Sequence, residues 1–361
     1  MKTIVIYDSI APRPYSSRTI AGKDSGVGGS ETAVARVAEY LSTDCRILIG
    51  QARRSEDEVE GNVIWTTLAK AKAAMPSADA IIAIRKIGDA AIARAHNRKA
   101  PVAVWYHDWY MPISPTASTG ERVRRFLSVN ARAFLHSVCG IDVVCVSRAH
   151  LDNMMGYLGG AIFGRRAVQR MRKSYVYNPV STDGATPADP ASIDRDKMIY
   201  FSAAWKGLDQ VLQNFRALRE KLPQMQLIVA SPHYAEGTGP QTDEPGVKRV
   251  VGLSRKEVLD EVASCLCVFY PSAVIPETFG LVFAESHLVG TPVLANPFGA
   301  APEILEPAEL VDAADQPAII DRIVAWRNGE RPTVSSNDNF DIKTIGERWR
   351  ALLFGKAFDA A

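Results

Sequence analysis

Glu277 and Glu285 have the residue type and the spacing to bind a ligand at the start of a helix. The sequence predicts that helix over about 279–288, which leaves Glu277 in the preceding loop. Glu285 then lies one turn inside the helix, roughly 6 to 8 Å along its axis from the first free amides. Carboxylates accept hydrogen bonds from alcohols but repel phosphate. We therefore expect one glutamate to bind a hexose and the other a ribose.

The first amides of the predicted helix add a phosphate site between the two carboxylates. Backbone N–H groups at Phe279, Gly280 and Leu281 lack helical partners and lie at the positive end of the helix dipole, which favours an anion. Gly280 also lets a ligand approach the backbone. A diphosphate between two sugars is a nucleotide sugar, so the segment predicts a donor site. Taken alone, the spacing means little, and a helix N-terminus with an ordinary acidic face is the default interpretation.

Lys206 and His107 follow other predicted strands and have side chains that could act beside this segment. Lys206 comes after MIYFS and before a helix, where its ammonium could neutralise a diphosphate leaving group; a solvated helix start is the alternative. His107 ends VAVWYHD and could hydrogen-bond a sugar or act only as a structural residue.

The glycines Gly26, Gly28 and Gly29 precede a helix that begins at Ser30. Their amides could face a diphosphate or an acceptor, with Ser30 as the N-cap. A dinucleotide fingerprint does not fit, because Glu31 occupies the third glycine position and the loop comes about 20 residues after its strand. The remaining alternative is a flexible surface loop.

Alternating strands and helices position all of these residues. Strands are predicted in both halves of the chain, at 3–7, 46–50, 80–84, 102–106, 142–147, 198–202, 226–231, 249–251, 267–270 and 293–295. This alternation predicts an α/β fold with two doubly wound parallel sheets, and Asn178-Pro179 with residues 186–193 predicts a polar linker between them. Ligands of such sheets bind beyond the carboxyl ends of the strands, so we expect the site in a cleft between the domains.

Composition describes an ordinary two-domain protein. The chain has 361 residues, of which 47% are hydrophobic and 23% charged. It has no signal-peptide pattern and no run approaching the ~20 apolar residues that span a bilayer, so we expect a cytoplasmic protein. The five cysteines show no C-x-x-C spacing, which favours reduced core thiols over disulfides or zinc.

Positive charge is concentrated in the first half of the chain. Residues 1–180 hold 25 Lys and Arg against 15 Asp and Glu, whereas residues 181–361 hold 17 against 25. Two stretches carry much of the excess, Arg122, Arg124, Arg125 and Arg132 around apolar Val123, Phe126, Leu127 and Phe134, and Arg165, Arg166, Arg170, Arg172 and Lys173. They are either solvated helix faces or contacts for anionic lipid or a phosphorylated acceptor. Nucleic acid is disfavoured, since no array of stacking aromatics accompanies them.

The donor segment, with FGLVFAES, GTPVLA and residues 299–303, resembles the signature of family 4 glycosyltransferases. Further marks of that family follow in order along the chain: GVGGSETA, His107-Asp108, VVCVSRAH, YNPVSTD and KGLDQVL. The resemblance implies the GT-B fold, two facing Rossmann-like domains. The acceptor domain would be 1–180, joined by a returning helix at 344–361, and the donor domain 181–343.

The resemblance also implies a retaining glycosyltransferase, of the bacterial surface-polysaccharide or lipopolysaccharide type, that moves a hexose from a UDP-, GDP- or ADP-sugar to a glycan or glycolipid. Lys206 and the amides at Gly280 and Leu281 would stabilise the diphosphate, Glu277 the sugar and Glu285 the ribose, with His107 near the reacting carbon. No metal or other cofactor is expected. Localisation would be cytoplasmic, on the inner face of the membrane.

One family feature is missing. A phosphate-binding arginine usually precedes the lysine, but this chain has Ser202-Ala203-Ala204-Trp205 there, and Arg255 is a candidate replacement. Asp194-Arg195-Asp196 matches a metal-binding motif of another glycosyltransferase fold, yet it lies in the linker and is interpreted as solvated charge. Two other classes stay open, a GT-B sugar-nucleotide epimerase and a degenerate nucleotide-sugar-binding protein.

Overall fold

The computed structural model describes residues 1–21, 27–182, 184–231 and 244–355. The chain divides into two compact units. Unit 1 comprises Met1–Ser17, Ser30–Asn178 and Ile342–Ala361, and unit 2 comprises Arg18–Gly29 and Pro179–Asp341. Within the described ranges, no helix is both long enough and apolar enough to cross a membrane.

Unit 1 is built on an eight-stranded sheet in the order β3-β4-β2-β1-β5-β6-β7-β8. Its strands are β1 (Lys2–Asp8), β2 (Cys45–Gln51), β3 (Glu58–Glu60), β4 (Val63–Thr67), β5 (Ala80–Ile84), β6 (Val102–Trp105), β7 (Ile141–Cys145) and β8 (Lys173–Tyr175). Only β3 runs antiparallel to its neighbour. Every residue of β5, β6 and β7 is buried, as expected for parallel strands covered by helices on both faces.

The helices between and after these strands in the chain are α1 (Ser17–Ala21), α2 (Gly29–Leu41), α3 (Leu68–Ala74), α4 (Ile87–His96), α5 (Thr119–Val138), α6 (Arg148–Gly159), α7 (Gly164–Arg170) and α13 (Ile342–Phe354), of which residues 18–21 and 29 belong to unit 2. Helix α13 comes from the end of the chain and packs on unit 1. Trp349 contacts Trp105 edge to face with 4.7 Å between ring centroids, and Tyr40 Oη donates to Glu347 Oε1 at 2.8 Å.

Unit 2 is built on a five-stranded parallel sheet in the order β11-β10-β9-β12-β13. The strands are β9 (Asp194–Tyr200), β10 (Gln226–Ala230), β11 (Val247–Val250), β12 (Cys265–Tyr270) and β13 (Val293–Ala295). The helices are α8 (Leu208–Lys221), α9 (Arg255–Ala263), α10 (Leu281–Leu288), α11 (Ala301–Ile304) and α12 (Gln316–Ala325). The predicted α/β fold with two parallel-sheet domains is therefore confirmed.

The structure differs from the sequence predictions at the start of one helix and at three strands. The sequence predicted a helix from about residue 279, but α10 begins at Leu281 because Gly280 adopts a left-handed conformation with φ 81°. Strands β3, β4 and β8 were not predicted. The sequence of β3, Glu-Val-Glu, is too short and polar to give a strand signal. Four of the five cysteines are buried, whereas Cys139, also predicted to lie in the core, is partly exposed.

Candidate functional site

The loop after β12 carries Glu277 and is held by a close contact with a second loop. Ala300 N donates to Glu277 O at 2.9 Å, and Gly299 has a φ of 65°. A Cβ at Gly299 would lie only 2.6 Å from Glu277 O. Glycine is therefore required at 299, both for its conformation and for the space it leaves. The contact fixes the backbone of Glu277 at the carboxyl edge of the unit 2 sheet.

The side chain of Glu277 pairs directly with Lys206. Lys206 Nζ lies 2.8 Å from Glu277 Oε1 and 2.9 Å from Oε2. The glutamate side chain is 9% exposed and the lysine side chain 29%. The sequence indicated each residue separately, and the structure brings them together. In this environment the pair is screened by water less than a surface pair, so each charge orients the other.

Lys206 reaches this position because of the residue that follows it. Gly207 has a φ of 106° and precedes α8, and a Cβ there would overlap Ser272 Oγ. That hydroxyl donates to Lys206 O at 3.1 Å, which ties the turn after β9 to the loop after β12. The glycine thus allows the lysine and the glutamate loops to approach.

Tyr270 is a third member of the site that sequence reasoning missed. It is the last residue of β12, and its hydroxyl donates to Glu277 Oε1 at 2.9 Å. Burial, followed by the charge of Glu277, raises the pKa of Tyr270 well above its usual value, so the phenol stays protonated and keeps donating. Its ring stacks on Tyr200 at 5.3 Å between centroids. Its position at the carboxyl end of a strand was the available signal.

Glu285 lies in α10, 3% exposed, and forms an ion pair with Arg255. Arg255 is the first residue of α9, whose start is fixed by a capping box between Ser254 and Glu257. Arg255, the candidate replacement for the missing phosphate cation, therefore pairs with Glu285, a contact that the sequence did not indicate. The predicted ribose contact of Glu285 and the predicted phosphate contact of Arg255 both stay predictions.

The start of α10 combines a buried ring with a glycine in the left-handed conformation. Phe279 is 1% exposed and packs edge to face on Phe340 with 5.1 Å between centroids. At Gly280 a Cβ would overlap the ring of Phe283. The first-turn amides therefore begin at Leu281, two residues later than predicted from the sequence.

The glycine loop before α2 lies partly outside the described residues, because Gly26 is not among them. Gly28 and Gly29 are described, and Gly29 is the first residue of α2. A Cβ at Gly29 would lie 2.5 Å from Leu281 Cδ1, and both residues belong to unit 2. The structure thus places this loop beside the start of α10.

His107 lies in unit 1, two residues beyond β6, and is 8% exposed. Its ring packs on Trp105 with 4.8 Å between centroids. Burial, aided by the charges of Arg85 and His150, lowers its pKa well below the usual value, so the imidazole is neutral near pH 7. Its Nε2 is buried and has no hydrogen-bond partner among the described residues.

Arg85 and Asp8 lie at the same edge of the unit 1 sheet, and sequence reasoning missed both. Arg85 follows β5 with an unusual φ of 62°, and its guanidinium contacts Ser30 and lies 3.9 Å from Asp108 Oδ1. Asp8 ends β1, and burial raises its pKa to about 6. Each could have been found as a polar residue that ends an apolar strand.

Asp194 and Asp196 lie in β9 and not in the linker as predicted, and both form contacts within unit 2. Asp194 Oδ1 accepts from Asp196 N at 2.9 Å, and Asp196 pairs with Arg327 at 2.6 Å. Across the described part of the chain, no group of three or more His, Cys, Asp or Glu side chains could hold a metal ion.

Comparisons with known proteins place this geometry in a family context. Residues 192–339, less than half of the chain, match the family model Glycosyl transferases group 1. No curated protein matches the sequence significantly.

Solved structures match over nearly the whole chain. AviGT4, a glycosyltransferase involved in avilamycin A biosynthesis, is 16% identical with a TM-score of 0.57, covering 99% of both chains. A trehalose-6-phosphate synthase from E. coli bound with UDP-2-fluoro glucose is 12% identical with a TM-score of 0.59, covering 99% of this chain and 100% of that one.

A third structure is an alpha-glucosyltransferase in complex with UDP-glucose and DNA that contains an abasic site. It is 11% identical with a TM-score of 0.54, covering 97% of this chain and 98% of that one. At these identities the likeness shows the fold alone. The chain therefore has the GT-B fold, and its match over residues 192–339 supports a glycosyltransferase of the group 1 type.

Proposed function

We propose that this protein is a retaining glycosyltransferase that moves a hexose from a nucleoside diphosphate sugar to a glycan or glycolipid acceptor. The observation that carries the proposal is the paired Lys206 and Glu277, with Tyr270, in the segment that matches the group 1 model. Two of the similar structures hold UDP-sugars, which makes UDP-sugars the first donors to test beside GDP- and ADP-sugars.

The chemistry follows from the charges at the site. A departing diphosphate gains negative charge in the transition state, and an ammonium already fixed nearby stabilises that charge without reorganising. Glu277 orients Lys206 and accepts hydrogen bonds from Lys206 Nζ and Tyr270 Oη. Its carboxylate is an acceptor for sugar hydroxyls, which fixes the reacting carbon relative to the acceptor.

Other residues complete the proposal. The amides from Leu281 onward would share the diphosphate charge with Lys206, so that the reaction needs no divalent ion. His107 is neutral, and its buried Nε2 has no partner in the part of the chain that the structure describes, so it suits a hydrogen bond to a sugar or acceptor hydroxyl. The acceptor belongs to cell-surface polysaccharide or lipopolysaccharide synthesis at the inner face of the membrane, which the basic unit 1 would contact.

Two measurements test this proposal, donor binding first and sugar transfer second. Thermal-shift measurements with UDP-, GDP- and ADP-sugars identify the donor, since a ligand selective for the folded state raises the melting temperature. Transfer of the labelled sugar to a glycan or lipid acceptor by the wild-type protein, lost on Glu277→Gln, would support it. Conversion of the sugar nucleotide without acceptor would instead indicate an epimerase, and binding without any turnover a degenerate binding protein.

A further inference from the structure

Helix α5 (Thr119–Val138) is apolar on the face that it turns to solvent. Val123, Leu127, Ala131, Phe134 and Val138 are all exposed and follow one another at intervals of three or four residues, which places them on one side of the helix. The opposite side, with Val129, Ala133 and His136, is buried against unit 1. Helix α5 therefore has one side that packs against unit 1 and a second, apolar side that is exposed and available for binding.

The turn between α6 and α7 extends this apolar stripe. Asn130 Oδ1 accepts from Ile162 N at 3.0 Å, which holds the turn along α5. The stripe and the turn together expose seven large apolar side chains, between 49% and 72% each: Val123, Phe126, Leu127, Phe134, Val138, Ile162 and Phe163. Contiguous patches of this kind mark interaction sites.

A basic pocket of about 590 Å³ lies on the adjacent flank of α5. Its polar lining includes Ser114, Thr116, Arg124, Arg125, Arg132 and Tyr157. Arg125 Cζ lies 5.1 Å from the centre of the Tyr157 ring, and Arg132 Nη1 is 3.4 Å from Tyr157 Oη. Aromatic packing therefore fixes two of the guanidinium groups before any ligand binds.

The pocket has one acidic residue, and that residue is already engaged. Glu121 accepts from the backbone N and the Oγ of Ser118, at 2.7 and 2.8 Å, in the capping box of α5. These hydrogen bonds lower the pKa of Glu121, so it stays ionised as a cap. Three arginines against this one carboxylate leave the pocket with a net positive charge suited to a phosphate.

The net charge around the apolar stripe and the arginine pocket indicates what binds to them. Between residues 119 and 173 there are ten Lys or Arg against three Asp or Glu. A second copy of the chain would bring these positive charges together and be repelled. An anionic lipid layer offers negative headgroups beside an apolar interior, which matches arginines beside an apolar stripe.

We propose that the solvent face of α5 docks the protein on a membrane rich in anionic lipid. The stripe enters the interface between headgroups and acyl chains, and the arginine pocket takes a lipid phosphate. This deepens the membrane contact proposed above and rests on it, but docking does not require donor sugar, so binding and transfer can succeed or fail independently.

The test is sedimentation of the full-length protein with vesicles of phosphatidylcholine alone or with 30% phosphatidylglycerol, without donor. We expect at least tenfold tighter binding to the anionic vesicles, decreasing with salt. Leu127→Ser should weaken binding about tenfold, because a largely exposed leucine loses its burial in lipid. Arg124→Gln should weaken it about fivefold. Both residues are exposed, so melting temperature should be unchanged.

Matched controls separate a specific surface from general charge or stickiness. Val59→Ser removes an apolar residue that is 59% exposed on β3, and Arg46→Gln removes an exposed arginine on β2. Each should change binding less than twofold. Equal losses for Arg46→Gln and Arg124→Gln, or for Val59→Ser and Leu127→Ser, would overturn the proposal. So would equal binding to both vesicles, or a thermal shift with inorganic phosphate and no vesicle binding.

Discussion

Replacing Glu277 by glutamine keeps the shape of the side chain and removes its charge. The carboxylate accepts from Lys206 Nζ at 2.8 and 2.9 Å and from Tyr270 Oη at 2.9 Å. A hydrogen bond to a charged group contributes about 1.5 to 3 kcal/mol. Glutamine retains one acceptor oxygen and loses the ion pair with the lysine. We therefore expect the free energy of unfolding to fall by about 2 kcal/mol.

Glu277→Gln should also reduce turnover, and by more than a loss of folded protein would explain. If the carboxylate also holds sugar hydroxyls in the transition state, losing one such contact lowers kcat about 100-fold. Initial rates of sugar transfer, measured at saturating donor with circular dichroism as the check on folding, give this number.

The matched control is Glu220→Gln, at an exposed glutamate of α8 in the same unit. This substitution should leave the free energy of unfolding unchanged and kcat within twofold of wild type. A folded Glu277→Gln protein with turnover equal to that control would refute the role of Glu277.

Three further predictions follow from particular residues. Asp8, whose pKa burial raises to about 6, holds its proton in the folded state at pH values where the unfolded chain has released it. Its contribution to stability therefore falls as pH rises between about 4 and 6, and Asp8→Asn should raise the melting temperature above wild type at pH 7.5 but not at pH 3.5. Burial lowers the pKa of His107, so its NMR ring signals should not titrate between pH 6 and 8. Burying this ring lowers the free energy of unfolding only when the pH falls below the usual pKa of histidine. A titration midpoint near pH 6.5 would contradict this burial. Gly280→Ala should destabilise by more than Gly61→Ala, because both glycines have positive φ but only at Gly280 would the new Cβ overlap a ring, and equal urea midpoints would contradict the packing argument.

Most strands, though not β3, β4 and β8, and the positions of the site residues followed from the sequence because both are local signals. Apolar runs such as 80–84 are buried on both faces of a parallel sheet, so their composition alone indicates a strand. Lys206, Glu277 and His107 were found because each comes after such a run, where side chains reach the carboxyl edge.

The contacts between those residues did not follow from the sequence, because they depend on tertiary distances. Lys206 and Glu277 are 71 positions apart, and nothing local indicates that they form an ion pair. Arg255 and Glu285 are likewise joined only by the packing of α9 and α10. The start of α10 was placed too early because the left-handed conformation of Gly280 is not visible in its residue type. The predicted cleft between the domains stays a prediction.

The most direct test of the account is the affinity of unit 2 for a nucleoside diphosphate. Calorimetric titration of wild-type protein with UDP, GDP and ADP should identify one that binds. Lys206→Met should then weaken that diphosphate at least tenfold, since it removes a charge-assisted contact of about 1.5 to 3 kcal/mol. Lys248→Met, at an exposed lysine of β11, is the matched control and should leave the affinity unchanged. Equal affinity in the Lys206 and Lys248 variants, or no binding of any of the three by wild-type protein, would contradict the account.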